Sequence, residues 1–324
     1  MIRQLSNKLI LMKRIFFIFI LLMPFVYVHA QNILPKVVSG KIERIENFQS
    51  KYVDSRNIDI WLPEGYSDTV KHSVLYVHDG QMLYDSETTW NKQAWNIDEV
   101  ASELLNANKI KRFIVVGIWN GGETRHADYF PQKPFEQLSK LEKDSVISQL
   151  KGVGRANDNF MPQSDNYLKL IVEELKPLID GRYAVYTKKE NTFILGSSMG
   201  GLISMYAICE YPEVFGGAAC LSTHWPGTFT LDNNPVPKSF INYLSQNIPN
   251  PNEHKIYFDC GDQTLDSMYP LIQKKVDSVM ILKGYADNNW MTKYFPGEDH
   301  SEKSWNKRLN IPLEFLFFRQ NKDQ

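Results

Sequence analysis

The chain has 324 residues, with 36 basic against 37 acidic side chains, 43% hydrophobic residues and only three cysteines. A nearly neutral balance excludes a strongly basic nucleic-acid binder, and 324 residues suit one large α/β domain. Cys209, Cys220 and Cys260 sit in apolar segments at spacings that match no zinc site or disulfide framework. They read as small core residues, a Cys220–Cys260 bridge being the lesser alternative. No cofactor or metal is expected.

Residues 1–30 read as a signal peptide. Lys13 and Arg14 precede an apolar run from Ile15 to Val28, and Val28-His29-Ala30 has the small-residue pattern of a cleavage site. The run is short for a membrane span, a retained anchor being the alternative. Either Met1 or Met12 would serve as the start. These residues carry four basic side chains and no acid, so removing them leaves 32 basic and 37 acidic groups. The expectation is an exported protein, periplasmic or secreted, with residues 31–324 as a single domain.

Strand-like stretches follow at Lys41–Tyr52 and Ile58–Leu62, ahead of the Pro63-Glu64-Gly65 turn. Ser73–His78 is a short apolar run ending in Asp79-Gly80, as in a buried parallel strand. A helix is predicted over Trp95–Asn106, with Ile97, Val100, Leu104 and Leu105 on one face, then a buried strand over Arg112–Trp119. Residues 120–166 show no clear strand and are rich in charge, glycine and aromatics. A loop of this length leaving a strand's carboxyl end is expected to form a lid or binding wall.

After a helix at Asn166–Ile179, the apolar run Thr192–Leu195 leads into Gly196-Ser197-Ser198-Met199-Gly200-Gly201. Gly-x-Ser-x-Gly between a strand and a helix is the pattern of a nucleophile elbow, where only small neighbours fit around a strained serine. Leu202, Ile203, Met205, Tyr206 and Ile208 then recur at helical spacing. Strands at Gly217–Leu221, Lys255–Asp259 and Trp290–Phe295 alternate with helices near Lys238–Gln246 and Leu271–Leu282, and a terminal helix closes the chain. Such alternation predicts an α/β fold, a mostly parallel sheet covered by helices on both faces, and the elbow within it makes the α/β-hydrolase fold the expected variant.

Ser198 needs a base to take its proton, and in this fold the partners follow in the order serine, acid, histidine. His254 precedes its predicted strand, at the edge remote from the elbow. His300 lies in Pro296-Gly297-Glu298-Asp299-His300-Ser301, after the last strand, and is the expected base. The strand Lys255–Asp259 runs into Cys260-Gly261-Asp262-Gln263-Thr264-Leu265-Asp266, which offers two acids: Asp262 lies closer to the strand end, Asp266 needs the loop to curl back, and either also suits a helix cap. Oxyanion donors are expected at the backbone N–H groups of Met199 and Gln81.

These motifs resemble the putative-esterase family of α/β-hydrolases, which includes esterase D, enterochelin esterase-like enzymes, feruloyl esterase modules and mycolyltransferases. The resemblance is carried by Leu75-Tyr76-Val77-His78-Asp79-Gly80-Gln81, Val116-Gly117-Ile118, Arg125 to Pro131, Gly196 to Gly201, Tyr211-Pro212-Glu213-Val214-Phe215-Gly216, and Gly297-Glu298-Asp299-His300 with Trp305. It implies carboxylic-ester hydrolysis by Ser198 and His300 with an acid in the Gly261–Asp266 loop; family members often carry Gly-Thr and acids there and some work with a dyad, and against that pattern Asp266 is placed first and Asp262 in reserve. Arg125, Tyr129 and Trp225 are candidates to line the substrate site, packing of the lid being their other use. Acylated carbohydrates bearing acetyl or feruloyl esters are the first expected substrates. Siderophore trilactones, or acyl transfer on the same scaffold, come second. A binding protein that keeps the fold without catalysis is the alternative of another class. No nucleic-acid or membrane partner is expected of the mature chain.

Overall fold

The computed structural model describes residues 33–319, so the expected signal peptide lies outside the described residues. Eight strands form one sheet: β1 (Lys41–Phe48), β2 (Arg56–Leu62), β3 (Ser73–His78), β4 (Phe113–Ile118), β5 (Thr192–Ser197), β6 (Gly217–Leu221), β7 (Lys255–Cys260) and β8 (Trp290–Tyr294). Their spatial order is β1-β2-β4-β3-β5-β6-β7-β8. β1 pairs antiparallel with β2 and β2 with β4, and every later pairing is parallel. The mostly parallel sheet expected from the alternating pattern is therefore present, in the order of an α/β-hydrolase.

β3, β4, β5 and β6 are buried along their whole length, which is why they read as continuous apolar runs rather than alternating ones. Successive side chains still go to opposite faces. Val74 and Tyr76 join one core cluster, with Leu202, Ile203, Phe240 and Val276 from the helices at 199–210, 236–247 and 270–282. Leu75 and Val77 join the other, with Ile97, Leu104, Leu313 and Phe317 from the helices at 97–106 and 310–317. All three cysteines are buried and unbridged.

Residues 120–166 are not the open loop that their composition suggested. They fold into short helices at Arg125–Tyr129 and Gln132–Glu136 and a longer one at Lys140–Gly152, before the helix starting at Ser164. The longest opens on a capping box, in which Ser139 and Glu142 satisfy each other's backbone N–H groups. Tyr129, Phe130, Phe135 and Phe160 sink into the larger core cluster, so the aromatic content is packing. Among the described residues no helix is long and apolar enough to cross a membrane.

Candidate active site

At the carboxyl end of β5 the chain turns sharply into the helix Met199–Glu210. Ser198 occupies the corner with φ 57° and ψ −122°, a conformation that costs a non-glycine residue roughly 1–3 kcal/mol and persists only where surroundings hold it. Two backbone bonds do so: Ser198 N–H donates to Leu221 O at 2.9 Å, and His224 N–H donates to Ser198 O at 3.1 Å. The turn also requires smallness at Gly196, where a Cβ would stand 2.6 Å from the Gly200 carbonyl carbon. Met199 begins the helix, so its N–H lies outside the intrahelical ladder and remains available to a ligand.

His300 follows β8 and precedes the helix Glu302–Asn306. Its Nδ1 lies 2.5 Å from Asp266 Oδ1, and its backbone N–H donates to Thr264 Oγ1 at 3.0 Å. The ring is wedged edge-on against Trp305, 5.0 Å between centroids. A carboxylate oxygen facing Nδ1 favours the neutral tautomer with its proton on Nδ1, the one that leaves Nε2 as an acceptor. Asp266 is fully buried and its Oδ2 accepts from Gly261 N–H and Ser222 Oγ, each at 2.6 Å. Asp262, the reserve acid, is turned elsewhere: it takes the Tyr294 hydroxyl at 2.6 Å and the Gly297 N–H at 2.9 Å. His254 is fastened to Asn250 O and Pro212 O and lines a different depression from Ser198.

Ser198 and His300 line one cavity of about 1110 Å³, together with Gln81, Met199 and Arg125. Among the described residues no hydrogen bond joins the two side chains. Ser198 lies instead beside the Tyr269 hydroxyl, which is 2.7 Å from His224 Nδ1. Burial, with His300 nearby, holds His224 well below the usual histidine range.

Arg125 lines the cavity, but both arms of its guanidinium are committed to Asp79, at 2.7 and 2.8 Å. Burial favours the neutral forms of both, and their mutual attraction overrides it: the Asp79 carboxyl is lowered and the Arg125 guanidinium raised. The pair props the turn carrying Gln81, with Asn120 donating to Asp79 Oδ1 at 2.7 Å. Two other candidates belong to the core instead. Tyr129 is fully buried, its hydroxyl accepting from Asp79 N–H at 3.3 Å, and Trp225 is fully buried with its Nε1 donating to Gln273 at 2.9 Å. Large aromatics at these positions contribute buried area to the interior and leave no face toward a ligand.

Sequence reasoning missed the layer behind Asp266. Ser222, at φ 41°, accepts from Trp305 Nε1 at 3.0 Å and Arg308 Nη2 at 2.9 Å while donating to Asp266. Arg308 also reaches the buried Asp259 at 3.0 Å. The one available signal was position: Ser222 immediately follows β6, at the carboxyl edge where such folds collect their ligands.

Comparison with known proteins agrees with this architecture. The family model described as putative esterase matches residues 50–315. The chain is 24% identical over 270 residues to the uncharacterized protein YbbA of Bacillus subtilis, covering 81% of this chain and 93% of that one. It is 25% identical over 286 residues to an endo-1,4-beta-xylanase/feruloyl esterase of Xylanibacter ruminicola, covering 86% of this chain but only 31% of that larger protein. Among solved structures, a ferulic acid esterase of Anaeromyces mucronatus superposes with TM-score 0.58 at 18% identity, over 89% of this chain and 93% of that one. The enterobactin esterase FES of Shigella flexneri gives 0.59 at 16% identity, over 87% and 60%. Likeness at such identities shows a shared fold.

Proposed function

The chain belongs to the putative-esterase family and is a carboxylic-ester hydrolase; from that premise we propose that it is an exported serine esterase using Ser198, His300 and Asp266 on acylated carbohydrates. Ser198 Oγ attacks the ester carbonyl as His300 Nε2 takes its proton. Asp266 holds the Nδ1–H and stabilises the imidazolium, while the N–H groups of Met199 and Gln81 receive the developing oxyanion. His300 then delivers its proton to the departing alcohol, and water repeats the sequence on the acyl-enzyme. The observation that carries this is the 2.5 Å contact from His300 to a fully buried Asp266, in the cavity that Ser198 lines from a strained elbow.

The test is hydrolysis of p-nitrophenyl acetate and methyl ferulate by the wild type and by Ser198→Ala. Loss of roughly 10³-fold or more in kcat is expected. Equal turnover by the two proteins would remove the serine mechanism, and turnover by neither above the uncatalysed rate would leave a binding protein with the same fold. Acyl transfer to an added sugar or cleavage of a siderophore trilactone in preference to sugar esters would redirect the substrate assignment.

The family resemblance and the relative that pairs a xylanase with a feruloyl esterase support sugar esters as substrates. In this proposal residues 31–324 act as one domain, with the 120–166 segment as a binding wall: Glu123, Arg125 and Phe160 already face the cavity. Export rests on the apolar run from Ile15 to Val28 and the site at Ala30. A mature N-terminus at Gln31, found by mass spectrometry of the exported fraction, is the expected result.

A further inference from the structure

We infer that the rim of the Ser198 cavity is a sugar subsite in which Trp90 stacks against a pyranose ring of the alcohol part of the ester. This rests on the esterase reading and names the part of the substrate that it leaves open. Trp90 is 84% exposed, a heavy exposure for an indole. Met161 and Phe229, 58% and 40% exposed, line the same cavity from two other segments of the chain. Three exposed apolar side chains from separate segments thus meet around one cavity, an arrangement that marks a binding site rather than scattered surface residues.

The polar groups around them define the ligand. Asn91, Gln93, Asn157, Asn159 and Gln163 line the cavity as neutral amides; Asn91, Gln93 and Gln163 already bond Glu302, Lys303 and Asp128, and each amide keeps further donor or acceptor capacity. Sugar hydroxyls both donate and accept, while the C–H face of a pyranose is complementary to an indole ring. Arg125, the cation nearest the oxyanion turn, is already engaged by Asp79, and the other charged lining residues, Arg155 with Glu123 and Glu302, give the cavity no excess of positive charge to select an anion. The cavity volume, about 1110 Å³, exceeds the roughly 300–1,000 Å³ of most small-molecule sites, so an acetyl or feruloyl group alone would leave it partly unfilled.

Trp90 is placed on the leaving-group side. His300 must hand its proton to the departing oxygen, so the alcohol lies toward His300. The loop carrying Trp90 is fastened to the helix directly after that residue: Asn91 Nδ2 donates to Glu302 Oε2 at 2.8 Å, and Lys303 N–H donates to Gln93 Oε1 at 3.3 Å. Turn bonds from Thr88 to Asp85 and from Thr89 to Ser86 brace the loop from its other end. The loop that carries the indole is therefore held beside the helix after His300 before binding, which limits the backbone part of the ordering cost.

Steady-state kinetics of the wild type, Trp90→Ala and Trp90→Phe would test this with p-nitrophenyl acetate, methyl ferulate and a feruloylated xylo-oligosaccharide. For Trp90→Ala, the ratio of kcat/KM on the oligosaccharide ester to that on p-nitrophenyl acetate should fall by about 10-fold, chiefly through KM. Trp90→Phe should recover most of it. An unchanged ratio would overturn the subsite, and so would a selective loss on methyl ferulate, which would assign the indole to the acyl group. Indole fluorescence keeps the subsite testable without turnover. Titration of Ser198→Ala with unesterified xylo-oligosaccharide should give a saturable change that Ser198→Ala/Trp90→Ala lacks. If no ester is hydrolysed but this titration succeeds, the esterase mechanism fails and the sugar subsite stands; no saturable change in Ser198→Ala overturns the subsite.

Discussion

The far oxygen of Asp266 is held by Ser222, whose hydroxyl donates to Oδ2 at 2.6 Å while Oδ1 faces His300. Each oxygen of the carboxylate thus has its own partner, and Gly261 N–H adds a second bond to Oδ2. A carboxylate held at both ends presents His300 with one orientation. Asp266→Asn should therefore lower kcat on p-nitrophenyl acetate by roughly 10³–10⁴-fold, because the amide no longer enforces the Nδ1–H tautomer. Asp262→Asn should cost less than about 10-fold, since that side chain serves Tyr294 and Gly297. Comparable losses in the two variants would reverse the assignment.

Arg308 is the cation of this buried layer, 2% exposed, shared between Ser222 and Asp259. Burial raises the Asp259 carboxyl above its ordinary range, against the opposing pull of Arg308, the Ser222 N–H and the Tyr257 hydroxyl. Arg308→Met leaves Asp259 buried without its counter-charge and should cost about 3–5 kcal/mol in urea unfolding. Arg308→Met/Asp259→Asn removes both charges and should recover a substantial part of that loss. If the double variant is no more stable than the single one, the two charges are not paired energetically.

Local features of this fold were legible and long-range ones were not. β3 and β6 were read at their observed bounds, Ser73–His78 and Gly217–Leu221, because a strand buried on both faces is a bounded apolar run in the sequence itself. The elbow was visible because its glycines lie within two residues of Ser198. Residues 120–166 misled because their helices are short and their aromatic side chains pack downward onto the core, erasing the surface periodicity that identifies a helix. The Ser222–Arg308 contact spans 86 residues, and nothing in either neighbourhood announces the other. Trp225 looked like a binding residue for the same reason: its partner Gln273 lies 48 residues away.

Gly261 links the two loops that bring Asp266 and His300 together. A Cβ there would lie 2.1 Å from Glu298 O, the oxygen that also receives the N–H groups of Asp262 and Gln263 at 3.1 Å. Gly261→Ala must push the 297–300 loop outward and carry His300 with it. The expected cost is about 1–3 kcal/mol of stability. A displacement near 1 Å should add a fall in kcat of about 10²-fold. A variant destabilised but fully active would show that the His300 loop moves independently of this contact.

Three deeply buried histidines, with a smaller contribution from His72, which burial also lowers, give the protein an acid-sensitive stability. Burial pushes His78 and His126 down to about 3, and His224 also lies well below its usual range. Nearby Arg125 acts in the same direction on all three. Their folded forms stay neutral as pH falls below about 6.5, whereas the unfolded chain takes up the protons. The unfolded state then binds more protons, so unfolding free energy rises with pH across this window and is lost as pH falls through it. At pH 5.5 each histidine contributes about 1.4 kcal/mol of loss relative to pH 8, about 4 kcal/mol for the three. Buried carboxyls with raised folded values, Asp98 and Asp259 among them, act in the opposite sense. Urea midpoints measured from pH 8 to 5.5 should follow this fall. His126→Gln, which keeps a polar group near Gly227 O, should remove about a third of the pH dependence. A profile that is flat across the window, or a His126→Gln slope equal to the wild type, would mean that these rings are protonated in the folded protein.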